Sequence, residues 1–191
     1  METIQQKVKN APNGKLLSIF MVLSIFLFGG WQSKSVRELN EEQYRLLNDF
    51  FKIEIHLFHQ TSTSKSWAKN INSNWLKEET YFCTLENEDD RQKIINELTE
   101  IDFQNNFWSH INSQTVTSLI EQKYLKTSGI KLVKKDDKGV IPKISTPFVY
   151  NERALIYYED PLEESIFYLK KNKSGKWEWI CKFTLHVIFI D

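Results

Sequence analysis

Residues 144–191 read ISTPFVYNERALIYYEDPLEESIFYLKKNKSGKWEWICKFTLHVIFID, and this stretch predicts antiparallel β-strands joined by short turns. Residues 166–169 and 177–180 are rich in β-branched and aromatic side chains, and the polar segment 172–175 between them ends in a glycine. Because glycine adopts positive φ without steric cost, this arrangement predicts a β-hairpin. The carboxyl-terminal quarter therefore predicts an antiparallel sheet.

The closing run of the chain, residues 177–189, alternates between two sets of side chains. A period of two is typical of a half-buried strand, which packs one face on a core. The predicted core face carries Trp177, Trp179, Cys181, Phe183, Leu185, Val187 and Phe189, and the opposite face carries Glu178, Ile180, Lys182, Thr184 and His186.

Helices are predicted in the middle of the chain. Asn40 and Gln43 have the spacing of a capping box, so we expect a helix that starts there and lies on the sheet. Residues 66–76 predict a second, short helix. A third is expected to be capped by Asp89 or Asp90, and residues 103–124 predict two short helices. The apolar side of the third helix would carry Ile94, Ile95, Leu98 and Ile101.

Three further strands are predicted, at residues 55–58, 81–85 and 130–133, where β-branched and aromatic residues cluster. Together these patterns predict the α+β class, with several helices packed on a C-terminal antiparallel sheet of about four to six strands, mostly from residues 130–191. The length of the chain favours a single domain over residues 36–191.

Residues 1–35 predict a membrane-directed segment. Leu16 to Gly30 carries no charge, and Lys7, Lys9 and Lys15 precede it. A block of fifteen uncharged, mostly apolar residues matches a cleaved signal peptide better than a bilayer-spanning helix, which needs about 20. Cleavage would follow Ser35; the alternatives are an uncleaved membrane anchor through residues 16–30, or a buried core helix. A cleaved signal peptide and an uncleaved anchor both predict that the rest of the chain lies in the cell envelope or is secreted. The lysines would stay on the cytoplasmic side.

The charge balance excludes one class of partner. Lysine and arginine number 25 and aspartate and glutamate number 25, so the chain has no basic excess of the kind that binds phosphate backbones. We therefore expect no nucleic-acid partner. A protein partner is compatible with this charge balance.

Candidate chemical sites are few. His56 and His59 are the one closely spaced histidine pair, but on a strand residues three apart point to opposite faces and do not converge on a metal. His110 and His186 stand singly. The acidic connection, residues 159–164, lacks the alternating oxygen spacing of a calcium loop. Since hydrolase, nucleotide and redox motifs are also missing, the sequence predicts no catalytic, cofactor-binding or metal residue and no cofactor.

Cys83 and Cys181 lie 98 residues apart in strand-like runs. In an oxidising compartment they would be able to pair, and elsewhere both would serve as small buried apolar residues. The sequence leaves these alternatives open, because it does not show proximity.

Four short segments carry a resemblance to known proteins: Ile144-Ser-x-Pro147-Phe148, residues 154–159 (ALIYYE), residues 168–171 (YLKK) and Gly175-Lys-Trp177. Over about 35 residues they resemble a loose group of small exported bacterial proteins of unknown function. Members often have a cysteine- and glycine-rich connection where this chain has residues 160–164. The resemblance implies export and an α+β fold, and it implies no functional residue.

These observations favour an exported or envelope-anchored, non-enzymatic binding or interaction domain. A helix-backed curved sheet often encloses a pocket, so the first alternative is a small-molecule-binding or hydrolytic domain with its site on the concave face of the sheet. The second alternative is an inhibitor or immunity-type partner of another exported protein.

Overall fold

Strands and helices alternate irregularly along the chain in a computed structural model, which describes residues 37–51, 55–62, 76, 81–83, 88–114, 116–127, 129–134 and 141–187. All of these fall within one compact unit, Val36–Asp191. In chain order the elements are β1 (Arg37–Glu38), α1 (Glu41–Phe50), β2 (Ile55–Phe58), β3 (Tyr81–Cys83), α2 (Glu88–Thr99), α3 (Ile101–Ser113), β4 (Ser118–Leu119), a 3-10 turn (Gln122–Tyr124), β5 (Ile130–Val133), β6 (Lys143–Ile144), β7 (Phe148–Tyr150), β8 (Arg153–Glu159), β9 (Glu163–Lys171) and β10 (Trp177–Val187).

The main sheet is antiparallel, with strand order β3-β10-β9-β8-β6, and β7 also pairs with β8. The turn between β9 and β10 contains Gly175 at φ 77°, as the hairpin prediction required. The expected α+β class with a carboxyl-terminal antiparallel sheet is therefore confirmed. Two strands differ from expectation: β5 leaves the sheet to pair in parallel with β2, and β3 comes from the middle of the chain to extend β10.

Helix α1 begins as predicted. The Asn40 side chain accepts a hydrogen bond from the Gln43 backbone nitrogen at 2.9 Å, and the Gln43 side chain accepts one from the Asn40 backbone nitrogen at 2.9 Å. This reciprocal pair satisfies two of the amide groups that a helix start leaves without partners. The helix then packs on one face of the sheet, where the buried cluster includes Leu46, Leu47, Ile156, Leu169 and Trp177.

The opposite face of the sheet is covered by α2 and α3. Their apolar side chains join those of the strands in a second buried cluster, which includes Leu98, Phe103, Phe107, Ile166 and Phe183. The sheet is therefore buried on both faces, and the expectation that only one face of the closing strand packs on a core is wrong. Strand β8 reflects this in its continuous run of four buried residues, Ala154, Leu155, Ile156 and Tyr157.

A β-bulge changes the assignment of side chains in β10. Trp179 pairs with Leu169 and Cys181 pairs with Tyr168, so two residues of β10 advance against one of β9. One extra residue reverses the side chains that follow it, here as far as the second register shift, between Thr184 and His186. Trp177 and Trp179 consequently pack on the α1 side, whereas Cys181 and Phe183 pack on the side of α2 and α3. The predicted shared face of these four residues is wrong.

The boundary between α2 and α3 also differs from expectation. Asp89 and Asp90 lie inside α2 instead of capping it, and Ile101 is the first residue of α3, with 77% of its surface exposed. Arg153 donates a hydrogen bond to the backbone oxygen of Glu97 at 3.0 Å, which supplies a partner at the end of α2. Residues 103–124 form one helix, a two-residue strand and a 3-10 turn, so the predicted second helix there is wrong.

The predicted membrane-directed segment, residues 1–35, lies outside the described residues, and so does the predicted short helix before Leu76. Among the helices that are described, none has both the length and the apolar character that crossing a bilayer requires.

Candidate functional site

A surface groove of about 630 Å³ runs beside α1, between the start of the described chain and the segment that follows the 3-10 turn. We call it the α1 groove. It is lined by Glu38, Leu39, Glu41, Tyr44, Arg45, Asn48, Asp49, Lys123, Tyr124, Lys126 and Gly175.

Two tyrosines form the aromatic part of the α1 groove. The rings of Tyr44 and Tyr124 have centroids 4.8 Å apart. Tyr44 is buried, and its hydroxyl accepts a hydrogen bond from the Glu121 backbone nitrogen at 2.9 Å. Burial raises the pKa of the Tyr44 phenol, so the ring stays neutral. Tyr124 is 43% exposed. It therefore presents an aromatic surface to solvent, and the Tyr44 ring packs against it.

Asn48 holds the segment after the 3-10 turn against α1. Its side-chain oxygen accepts hydrogen bonds from the backbone nitrogens of Lys126 at 2.6 Å and Thr127 at 3.3 Å, and its amide nitrogen donates to the Tyr124 backbone oxygen at 2.9 Å. The Thr127 hydroxyl also donates to the Asn48 backbone oxygen at 3.2 Å. The Asn48 side chain thus supplies hydrogen-bond partners for three backbone groups of this loop. It therefore fixes the loop and the position of Tyr124.

The charges of the α1 groove are divided between its walls. The wall formed by β1 and α1 carries Glu38, Glu41 and Asp49, with Arg45 paired to Glu41 at 2.7 Å. The 3-10 turn and the segment after it form the second wall, which carries Lys123 and Lys126. Lys123 pairs with Glu121. For Glu38 and Lys126 there is no ion pair with any other described residue.

A second cavity, of about 370 Å³, lies where α2 and α3 meet the β7–β8 turn. Glu97 accepts hydrogen bonds there from the Tyr168 hydroxyl at 2.7 Å and from Lys170 at 2.8 Å, and Arg153 pairs with Glu100 at 2.7 Å. Burial alone would raise the pKa of Glu97, but the hydrogen bonds from Lys170 and Tyr168 outweigh burial and hold it below its ordinary value. These charges are matched within the protein, so the cavity has the character of a structural network.

His110 lies partly buried on α3. Its Nε2 atom lies 3.4 Å from the Thr146 backbone oxygen and 2.9 Å from the Gln114 amide nitrogen. Burial lowers the pKa of the imidazole. Its recorded partners are an amide and a carbonyl, whereas a general base needs a nucleophile within hydrogen-bond reach.

The other histidines do not assemble a site. His56 is exposed on β2. His59 follows the strand, and its buried Nδ1 atom has no hydrogen-bond partner among the residues that the structure describes. His186 lies on β10. Across the described segments, no group of three His, Cys, Asp or Glu side chains has the proximity to hold a metal ion.

The acidic connection forms the turn between β8 and β9. Asp160 accepts hydrogen bonds from the backbone nitrogens of Leu162 at 2.7 Å and Glu163 at 2.8 Å. Glu159 pairs with Lys143 at 3.5 Å, and Glu163 pairs with Lys182. The carboxylates of Asp160, Glu159 and Glu163 therefore stabilise the β8–β9 hairpin.

Cys83 and Cys181, whose pairing the sequence left open, form a disulfide. They lie directly opposite each other on β3 and β10. The disulfide joins β3, at the edge of the main sheet, to the adjacent strand β10, across a sequence separation of 98 residues.

Sequence patterns did not reveal the α1 groove. Tyr124 and Asn48 are 76 positions apart and belong to no motif; only the packing of α1 against the 3-10 turn brings them together. The one local signal was the apolar character of Tyr124 in a polar stretch.

Comparisons with protein-family models, with curated protein sequences and with solved structures give no match to this chain.

Proposed function

We propose that this protein is an exported, non-enzymatic binding domain that engages a protein partner through the α1 groove. The observation that carries the proposal is the presentation of Tyr124: a half-exposed aromatic ring, backed by Tyr44 and held by the Asn48 hydrogen bonds. Exposed tyrosines in rigid surroundings are typical of binding surfaces, because they contribute large contact area at low entropic cost.

The disulfide supports the exported location. Disulfides persist in oxidising compartments and are rare where glutathione and thioredoxin keep thiols reduced. The Cys83–Cys181 bond therefore agrees with the basic lead and the apolar block of residues 1–35. Whether that segment is cleaved or stays as an anchor, it would deliver the domain across a membrane.

The described polar clusters favour binding over catalysis. The carboxylates around the second cavity are matched by Lys170 and Arg153, and the recorded hydrogen bonds of His110 go to an amide and a carbonyl. Both faces of the sheet are filled by packing, so a site on a concave sheet face has less support than the α1 groove.

Photo-crosslinking in cells tests the binding role on the full chain. The photoreactive residue p-benzoylphenylalanine replaces Tyr124 in one variant and Lys126 in a second. The matched control replaces Ile101, which is more exposed than Tyr124 but lies outside the α1 groove. We expect a discrete adduct from both groove positions and none from position 101. Adducts of the same mass from all three positions, or none from the groove, would overturn the proposal.

Thiol trapping tests the location. Cells that express the full chain are treated with a maleimide–polyethylene glycol reagent under denaturing conditions, with and without prior reduction. We expect Cys83 and Cys181 to react only after reduction. A Leu23→Arg/Phe26→Arg variant, which interrupts the apolar block, should retain the chain in the reducing compartment and leave both thiols reactive. Thiols that react without reduction in the unaltered chain would exclude export.

A further inference from the structure

The ligand of the α1 groove is constrained by the separation of its charges. One wall carries Glu38, Glu41 and Asp49 with one arginine, and the other carries Lys123 and Lys126. A ligand of a single charge sign would be attracted by one wall and repelled by the other. A ligand that satisfies both walls must carry positive groups along one side and negative groups along the other.

An extended peptide has the required symmetry. Successive side chains of an extended chain point to opposite sides, so every second residue lies along the same edge. A peptide that alternates basic and acidic residues therefore presents all its bases to one wall and all its acids to the other.

We propose that the α1 groove binds an extended peptide segment of a partner protein in which basic and acidic residues alternate. The bases lie towards Glu38 and Asp49, the acids lie towards Lys126, and the aliphatic stems of the central residues pack on the exposed ring of Tyr124. This inference rests on the proposed binding function, because it specifies the ligand of the same groove.

Glu38, Asp49 and Lys126 have no ion pair with another described residue. Of these three, Glu38 and Lys126 are expected to contribute most to peptide binding. Arg45 and Glu41 already neutralise each other at 2.7 Å, and Asp49 accepts a hydrogen bond from the Trp177 backbone nitrogen at 2.9 Å. An ion that pairs only on binding adds its attraction to the complex without first breaking an internal pair.

Fluorescence anisotropy with synthetic peptides tests the inference on the full chain in detergent. The probe alternates lysine and glutamate, and the control peptide has the same composition with all lysines in the first half and all glutamates in the second. We expect the alternating peptide to bind at least about tenfold more tightly, with an affinity that falls steeply with salt. Equal binding of the two peptides would overturn the inference.

Charge reversal gives a sharper test. An alternating peptide that rotates by half a turn about its axis exchanges its basic and acidic sides, so it can match reversed charges on the two walls. Glu38→Lys and Lys126→Glu should each weaken binding by about three- to tenfold. The double variant should recover much of the loss, since the charges at positions 38 and 126 are exchanged while Glu41 and Lys123 keep their internal ion pairs. Lys93→Glu, at an exposed position of α2 on the opposite face of the sheet from α1, is the matched control and should bind normally. Single reversals without effect, or a double variant weaker than both, would contradict the proposed peptide orientation.

A neutral oligosaccharide serves as a probe of another ligand class, and its binding in place of the peptide would also overturn the inference. Groove-specific photo-crosslinks without peptide binding would remove this inference and leave the proposed binding function intact. The absence of both would remove the two together.

Discussion

The indole nitrogen of Trp177 donates a hydrogen bond to Glu42 at 2.8 Å. The same carboxylate pairs with Lys171 at 2.7 Å, and the Lys171 ammonium lies 5.0 Å from the centroid of the Trp177 ring. Burial would raise the pKa of Glu42, but the hydrogen bonds from Lys171 and Trp177 outweigh burial and lower it. This contact fastens α1 to the β9–β10 hairpin, and it thereby sets the position of one wall of the α1 groove.

The two tryptophans of β10 should differ in their contributions to stability. Trp177 is 2% exposed, so Trp177→Ala should lower the free energy of unfolding by about 3 to 5 kcal/mol. Trp179 is half-buried and should cost less, whereas the exposed Glu178 should tolerate alanine within about 1 kcal/mol. Equilibrium urea unfolding measures the three variants. A larger loss for Trp179→Ala than for Trp177→Ala would contradict the deeper burial of the Trp177 ring.

Asn48→Ala should release the segment that follows the 3-10 turn. The variant removes hydrogen bonds to Tyr124, Lys126 and Thr127, and it should cost about 1 to 2 kcal/mol. Amide hydrogen exchange at Lys126 and Thr127 should accelerate, while exchange in β9 stays slow. Asn106→Ala, which removes a single exposed helix contact to the Asp102 backbone oxygen, is the control. Unchanged exchange at Lys126 would show that Asn48 does not hold the loop.

Glu97 should make stability depend on pH in the acidic range. Its pKa is lowered from 4.5 in the folded state. Its contribution is therefore fully present above the unfolded pKa and is lost as the pH falls through the folded value. Between about pH 5 and pH 3 the unaltered protein should lose about 1 kcal/mol more than Glu97→Gln, allowing for the partial exposure of the ion pair. Parallel urea titrations across this range test the expectation, and identical slopes would contradict it.

Titration of His110 should change the stability of the protein at higher pH than titration of Glu97 does. Burial lowers its pKa from 6.5 in the folded state, so the unfolded chain takes up a proton first as the pH falls. Stability should decline from about pH 7 towards pH 5, by about 1 kcal/mol. His110→Gln, which cannot titrate, should show a flatter profile in this window. His56→Gln, at an exposed position, is the matched control and should leave the decline unchanged.

Reduction of the Cys83–Cys181 disulfide should destabilise the fold. A closed loop of this length gives a chain-entropy estimate of about 4 to 5 kcal/mol. A reductant should therefore lower the melting temperature of the unaltered protein and leave that of Cys83→Ala/Cys181→Ala unchanged. Because β3 contributes only three residues to the sheet, its amides should lose protection first on reduction. A melting temperature that does not respond to reductant would contradict a structural role for the bond.

Local patterns in the sequence predicted the elements whose determinants lie within a few residues. The capping box at Asn40 and Gln43 predicted the start of α1, residues 55–58 predicted β2, and Gly175 marked the hairpin turn. In each case a cap, a β-branched run or a positive φ is specified by neighbours along the chain.

The faces of the strands were not predictable in the same way. The bulge between Trp179 and Cys181 inserts one residue, and the alternation of apolar residues continues through it because both faces of β10 are buried. Apolar residues stand at every second position both before and after the bulge, so the sequence carries no sign that the later ones pack on the other face. The pairing of β5 with β2 was likewise hidden, because a strand's own composition does not identify its neighbour.

By itself, the sequence determined the class of the fold, the hairpin, the first helix and the apolar amino-terminal block, all of which follow from local composition and spacing. Only the tertiary structure decided that Cys83 reaches Cys181, that the main sheet is covered on both faces, and that Asn48 and Tyr124 build a groove. These relationships join residues about 75 to 100 positions apart, and such contacts depend on the packing of whole elements rather than on the preferences of any one segment.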